Sequence, residues 1–197
     1  MMNYDKITRL LHWGIAVGIP LQLISETLMK RPKPGRIRAE DQIFFFEMHE
    51  WVGMIVLSLI VMRLIWGVMG MGDGRLSKLF PYLTTTGRQG IMHELRTKVP
   101  GWFRGKFETP EKEDYIAGTV HGLGVLLVLA LGATGAVMLY GMEESGKMLG
   151  FVHEMKEVHE ILGTVLWVYI VGHVVMALAH QLLGHKSLQR IFTFKGQ

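Results

Sequence analysis

The chain has 197 residues, about one domain's worth, with 49% hydrophobic residues, only 19% charged residues and no cysteine. The missing cysteines exclude disulfides, thiolate metal sites, covalent c-type haem and cysteine nucleophiles. A soluble domain carries about 25% charged residues, so the sparse and uneven charge, with a mean hydropathy of +0.27, points to a membrane protein. The formal charge of +4 then reflects basic loops that set topology rather than nucleic-acid binding.

Crossing the hydrocarbon core takes about 20 mostly apolar residues. The first stretch that qualifies is 7–29, interrupted by Pro20 and ending around Ser25 and Glu26. No small-residue cleavage pattern follows it, so it is read as a span rather than a signal peptide. Pro32, Pro34 and Gly35 then predict a turn near the membrane surface. The second span is 44–69. A long loop, 71–114, opens on Gly70, Gly72 and Gly74. No strand precedes these glycines, so they read as a flexible exit and not as a phosphate loop. Residues 86–98 predict a short surface helix, with Ile91, Leu95 and Val99 toward lipid and Arg88, Arg96 and Lys98 toward water. The third span, 115–142, holds no charge, and the fourth, 158–183, holds only Glu160. The predicted architecture is a single all-α membrane domain over 1–197, a bundle of four transmembrane helices.

Lys and Arg in the loops give the direction. The N-terminus (Lys6, Arg9), the 71–114 loop (eight bases, Lys106 and Lys112 among them) and the C-terminus (Lys186, Arg190, Lys195) hold thirteen. The other side holds seven: Lys30, Arg31, Lys33, Arg36, Arg38, Lys147 and Lys156. Both termini are therefore expected in the cytoplasm.

Nine histidines are the unusual feature. His12, His49, His121, His159, His173 and His180 fall in or at the edge of spans, where an unpartnered imidazole is costly and functional by default. His159 and His173 are 14 residues apart, close to four turns, so they share a face and lie about 21 Å apart along the axis. His49 matches the outer level and His12 the inner level. Two pairs follow, His49 with His159 and His12 with His173. Two histidines on facing helices are what a six-coordinate b-type haem requires. Gly53 and Gly163 lie one turn below His49 and His159, where a flat macrocycle needs small neighbours, and the third span adds Gly118, Gly122, Gly124, Gly132 and Gly135. Close helix packing is the competing explanation for that last series. Arg63 follows His49 by 14 residues, at the depth of the inner pair, either to neutralise a propionate or quinone-site anion or to snorkel to headgroups.

These residues resemble the bacterial dihaem cytochrome b561 family, together with the related b-type cytochrome subunits of respiratory hydrogenases. The resemblance covers nearly the whole chain. It is carried by Leu11-His12-Trp13, by His49 opening the second span, by Arg63-Leu64-Ile65-Trp66-Gly67, and by His159, His173 and Ala177-Leu178-Ala179-His180 in the fourth. It implies an inner-membrane protein with two haems b, the inner held by His12 and His173 and the outer by His49 and His159. It also implies a quinone near His180, since some members exchange electrons with quinone; at least one kind oxidises superoxide.

His180 is thus read as a quinone or propionate contact, with plain interfacial placement as the alternative. His121 is a hydrogen-bonding group or a proton relay near a cytoplasmic-side quinone. His93, His153 and His185 read as loop or interfacial residues. The outer side carries ten acids against seven bases, Glu144 included, with 154–160 clustered beside His159. That balance suits a basic outer-face partner such as a c-type cytochrome. The expected function is electron transfer between a quinone pool and an outer partner. A haem-bearing anchor subunit of a larger respiratory enzyme and a histidine-lined transporter without haem are the rivals.

Overall fold

The computed structural model describes residues 5–32, 35, 37, 39–70, 75–102, 104–105, 114–143, 145–185 and 187–192. Gly72, Gly74, Pro34, Lys33, Arg36, Arg38, Lys106, Lys112, Lys186, Lys195 and Glu144, on which the turn, glycine and charge expectations partly rest, lie outside them. Regular structure among the described residues is entirely helical: α1 Lys6–Leu28, α2 Glu40–Val68, α3 Leu76–Leu79, a 3-10 turn Pro81–Leu83, α4 Thr85–Thr97, α5 Val99–Trp102, α6 Tyr115–Gly141, α7 Phe151–Leu182 and α8 Ser187–Phe192. Helices α1, α2, α6 and α7 are long and apolar enough to cross a membrane. Large apolar side chains stand exposed along them, Val168 at 72% and Leu182 at 87%. An apolar surface of that extent is unfavourable in water and favourable against lipid.

Helices α2 and α7 start earlier than the apolar stretches, whereas α6 starts at Tyr115 as expected. α2 begins at Glu40, with Glu40 and Asp41 in its first turn, where carboxylates complement the helix dipole. α7 begins at Phe151 rather than 158. Its polar first turns are held by pairs four residues apart, His153 with Glu157 at 3.4 Å and Lys156 with Glu160 at 3.0 Å. His153 is therefore an exposed helical residue and not a loop residue. α1 runs unbroken through Pro20, which spanning helices tolerate.

The chain forms two compact units. The central unit comprises Trp13–Val61 and Leu126–Val168. Its buried side chains include Ile19, Leu23, Val56, Ile60, Val128, Leu131 and Leu166. Gly18 meets the Val56 side chain and Gly132 the Leu57 side chain, so small residues let these helices approach closely.

The terminal unit comprises Met1–His12, Met62–Val125 and Tyr169–Gln197. Here the segment between α2 and α6 packs on the first turns of α6. Gly118 and Gly122 lie against the backbone carbonyls of Lys78 and Leu79, with no room for a Cβ. These two glycines of the third span thus serve packing against α3 and its C-terminal end. Gly122→Ala is expected to cost about 1–3 kcal/mol through overpacking, seen as a lower thermal midpoint in detergent. Gly172→Ala, where nothing lies within 4 Å, should lose none.

The N-terminus of α6 is capped from two elements. Asp114 Oδ1 accepts the Ala117 N–H at 2.9 Å, and Glu94 Oε2, from α4, accepts the Ile116 N–H at 2.8 Å. Lys98 Nζ lies 2.9 Å from Glu94 Oε1 and 3.6 Å from Asp114 Oδ2. The surface helix expected at 86–98 is α4, and Arg88, Arg96 and Leu95 are exposed on it. Lys98 departs from expectation. It is buried rather than directed to water, because Glu94 and Asp114 supply its counter-charge inside the fold.

Candidate functional site

In the central unit, α2 brings His49 and α7 brings His159 to a ring-centroid separation of 6.3 Å, with planes at 77°. Their surroundings fix the tautomers. Ser25 Oγ donates to the Gln22 carbonyl oxygen at 2.9 Å, so it accepts from His49 Nδ1 at 3.1 Å. The Gln22 carbonyl oxygen, which can only accept, lies 3.3 Å from the same nitrogen. Gln22 Nε2 donates back to the His49 carbonyl at 2.7 Å. On the other ring, Thr134 Oγ1 lies 2.9 Å from the Ala130 carbonyl and 3.0 Å from that of Leu131. Its single proton is committed there, so it accepts from His159 Nδ1 at 2.9 Å. Both histidines therefore carry hydrogen on Nδ1 and keep a lone pair on Nε2. A hydrogen bond to the far ring nitrogen is how proteins orient a metal-binding imidazole.

The spacing agrees with that role. Two metal–nitrogen bonds of about 2.0 Å, each with a ring centre roughly 1 Å behind, place ligand centroids roughly 6 Å apart. Gly135 lies 3.3 Å, measured from an ideal Cβ, from His159 Cε1, and Gly163 has nothing within 4 Å. Gly135 thus lets the His159 ring approach α6 closely, and Gly163 leaves open space beside α7. Gly53 instead faces the Gln22 amide.

In the terminal unit the histidines cluster differently. His121 and His173 are 5.4 Å apart and nearly perpendicular, and Tyr169 stacks on His173 at 5.8 Å and 14°. A separation of 5.4 Å is short for two rings flanking an iron, so His121 and His173 make a packed edge contact. His12 lies within electrostatic reach of His173 and Arg63, and its ring meets Phe192 of α8 at 5.7 Å. His12 Nδ1 is buried with no hydrogen-bond partner among the described residues, as is Trp66 Nε1. An unsatisfied buried nitrogen costs about 1–3 kcal/mol. His121 lies within electrostatic reach of His173 and His12. Arg63 is half-buried and within electrostatic reach of both His12 and His121.

His180 and His185 form a pair that the sequence did not indicate. The last turn of α7 closes with His185 N–H to the His180 carbonyl and Gly184 N–H to the Gln181 carbonyl, 3.0 and 3.1 Å. Gly184 adopts φ +81°. This glycine-capped turn folds His185 back until the two Nδ1 atoms are 2.9 Å apart.

Beside His159 the expected acidic patch does not stand free. Glu160 is paired with Arg31 and with Lys156, and Glu157 with His153. Sequence counting missed this because Arg31 and Glu160 are 129 residues apart. Among the described residues no three histidine or carboxylate side chains converge as a metal site; the donor sets are pairs.

The sequence model described as Prokaryotic cytochrome b561 matches residues 3–194. The chain belongs to the prokaryotic cytochrome b561 family. No curated protein matches its sequence. Membership makes it a membrane b-type cytochrome of electron transfer, and paired neutral imidazoles without competing thiolates are the donor set a b-type haem takes. Gln22, Ser25 and Thr134, which sequence reasoning passed over, hold the rings of the central-unit pair in this cytochrome. A buried hydroxyl inside an apolar span was the only available signal for two of them.

Proposed function

We propose that the cytochrome holds two haems b and passes electrons across the cytoplasmic membrane between a quinone pool on the inner side and a redox partner on the outer side, with both termini cytoplasmic. The His49–His159 pair carries this reading, through its 6.3 Å spacing and its fixed tautomers. A bound haem b supplies a one-electron carrier. His49 and His159 hold the outer one and His12 and His173 the inner one. The 14-residue spacing on α7 assigns one pair to each membrane surface. Arg63 offers the inner counter-charge, and His180, with His121, offers polar groups for a quinone.

The test is haem-to-protein stoichiometry with redox potentiometry of the purified protein. Two low-spin haems per chain are expected, and one per chain sinks the reading. If purification strips away the electron donor or acceptor, the chain is the haem-bearing anchor of a larger oxidoreductase.

Two substitutions probe the parts. Thr134→Val removes the acceptor for His159 Nδ1–H and is expected to weaken outer-haem retention about 10–100-fold, measured by haem loss on dilution in detergent. His180→Ala is expected to slow quinone-linked turnover and leave both haem spectra in place. Loss of a haem would instead make His180 a ligand.

A further inference from the structure

His180 and His185, at the end of α7, hold their Nδ1 atoms 2.9 Å apart and their ring centroids 5.1 Å apart. With a ring centre roughly 1 Å behind each nitrogen, a straight N–H···N bond puts the centroids roughly 5 Å apart, so the two nitrogens face each other. An imidazole nitrogen either donates or accepts, so this bond holds one proton, carried by one ring and accepted by the other. Backbone keeps the pair together. Gly184 turns the chain back at φ +81°, a conformation other residues rarely adopt, and Gln181 Oε1 accepts the Leu188 N–H at 3.3 Å, which ties the turn to α8. Both rings are partly exposed. The charge of Asp114 reaches His180 and also His121, and Asp114 Oδ2 lies 3.6 Å from Lys98 Nζ.

We propose that His185 is the proton relay between the cytoplasmic water and His180, acting through the Nδ1–Nδ1 bond. The relay rests on the reading above that His180 serves a quinone. A quinone becomes a quinol by taking two electrons, here from reduced haem b, and two protons, here from water. For each proton, His185 takes one from water, the proton shared in the bond crosses to His180, and His180 gives one to a quinone oxygen. An imidazole can accept on one nitrogen and release from the other, so two rings in series carry a proton without either ring leaving its place. The Asp114 carboxylate supplies a counter-charge for the proton in transit. Quinol oxidation uses the same path in the opposite direction.

The experiment mixes the pre-reduced, desalted holoprotein in detergent with a short-chain quinone. Reoxidation is followed at the haem absorption by stopped flow, across the neutral and alkaline range. His185→Ala is expected to slow reoxidation about 10-fold or more, most at alkaline pH, where water donates protons least readily. Added imidazole restores the rate of His185→Ala and leaves wild type unchanged, with the haem spectra the same throughout. Gly184→Ala keeps both imidazoles but strains the turn that joins them, and it slows reoxidation in the same direction. Where His185→Ala loses haem, His185→Gln replaces it. A merely structural role gives slow reoxidation that imidazole does not rescue, and that result overturns the relay. So does a wild-type rate for His185→Ala at every pH. In both of those cases a slow His180→Ala leaves the quinone reading standing. If His180→Ala itself reacts as fast as wild type, the quinone reading falls and takes the relay with it.

Discussion

His159→Ala is expected to remove one of the two b-type haems and leave the other, halving the haem content of the purified protein. The two proposed ligand pairs share no residue, and they belong to different compact units. Among the described residues His159 Nδ1 meets Thr134 Oγ1 and the Leu131 carbonyl, both in the central unit, so its removal should leave the His12, His121 and His173 cluster in place. Alanine also leaves His49 hydrogen-bonded to Ser25 and Gln22, which keeps the helix interface intact and separates loss of haem from misfolding. His173→Ala should give the converse. Reduced-minus-oxidised spectra with haem quantitation are the measurement. Two intact low-spin haems after either substitution would refute the pairing.

The second large effect concerns stability. Glu94→Ala is expected to destabilise the protein by about 3 kcal/mol, at the lower end of the range for breaking a buried ion pair. Glu94 is 5% exposed and serves two partners, Lys98 Nζ and the Ile116 N–H. Its loss takes the nearer carboxylate from a cation that is 8% exposed and removes one cap of α6. Asp114 at 3.6 Å still offsets part of the Lys98 charge, which is why the upper end of the range is not reached. Glu94→Leu with Lys98→Met removes both charges and should recover most of the loss. Thermal unfolding in detergent, followed by proteolysis at the α3–α5 segment, distinguishes them. Equal midpoints for wild type and Glu94→Ala would show that the ion pair contributes nothing.

The α3–α5 segment and the histidine sites differ in how far the sequence disclosed them. Hydropathy alone located four helices, because lipid permits only backbone that satisfies its own hydrogen bonds and so demands long apolar runs. Helical periodicity put His159 and His173 on one face, because 3.6 residues per turn bring residues 14 apart into line. Matching depths then singled out His49 and His12, and the family resemblance rested on those same positions. Helix starts were less legible. α2 and α7 extend into charged sequence, where the first-turn carboxylates of Glu40, Asp41 and Glu154 sustain helix that hydropathy cannot register.

What the sequence by itself determined was therefore one-dimensional: the spans, the histidine depths and the family. Tertiary structure alone decided which groups meet. Lys98 read as a water-facing cation until Glu94 and Asp114 closed around it. The 154–160 segment read as an acidic patch until Arg31 neutralised Glu160 from 129 residues away. His121 read as a hydrogen-bonding group or a proton relay outside both pairs, yet its ring rests on His173, and His185 is turned back onto His180 by Gly184. Ser25 and Thr134 carried no signal beyond being polar in apolar helices, and their role exists only because α1 and α6 bring those hydroxyls within 3.1 Å of a histidine ring. The physical reason is common to all of them. Periodicity and hydropathy are properties of one segment, whereas hydrogen bonds and ion pairs depend on the rotation and register of two packed segments, which no single stretch of sequence encodes.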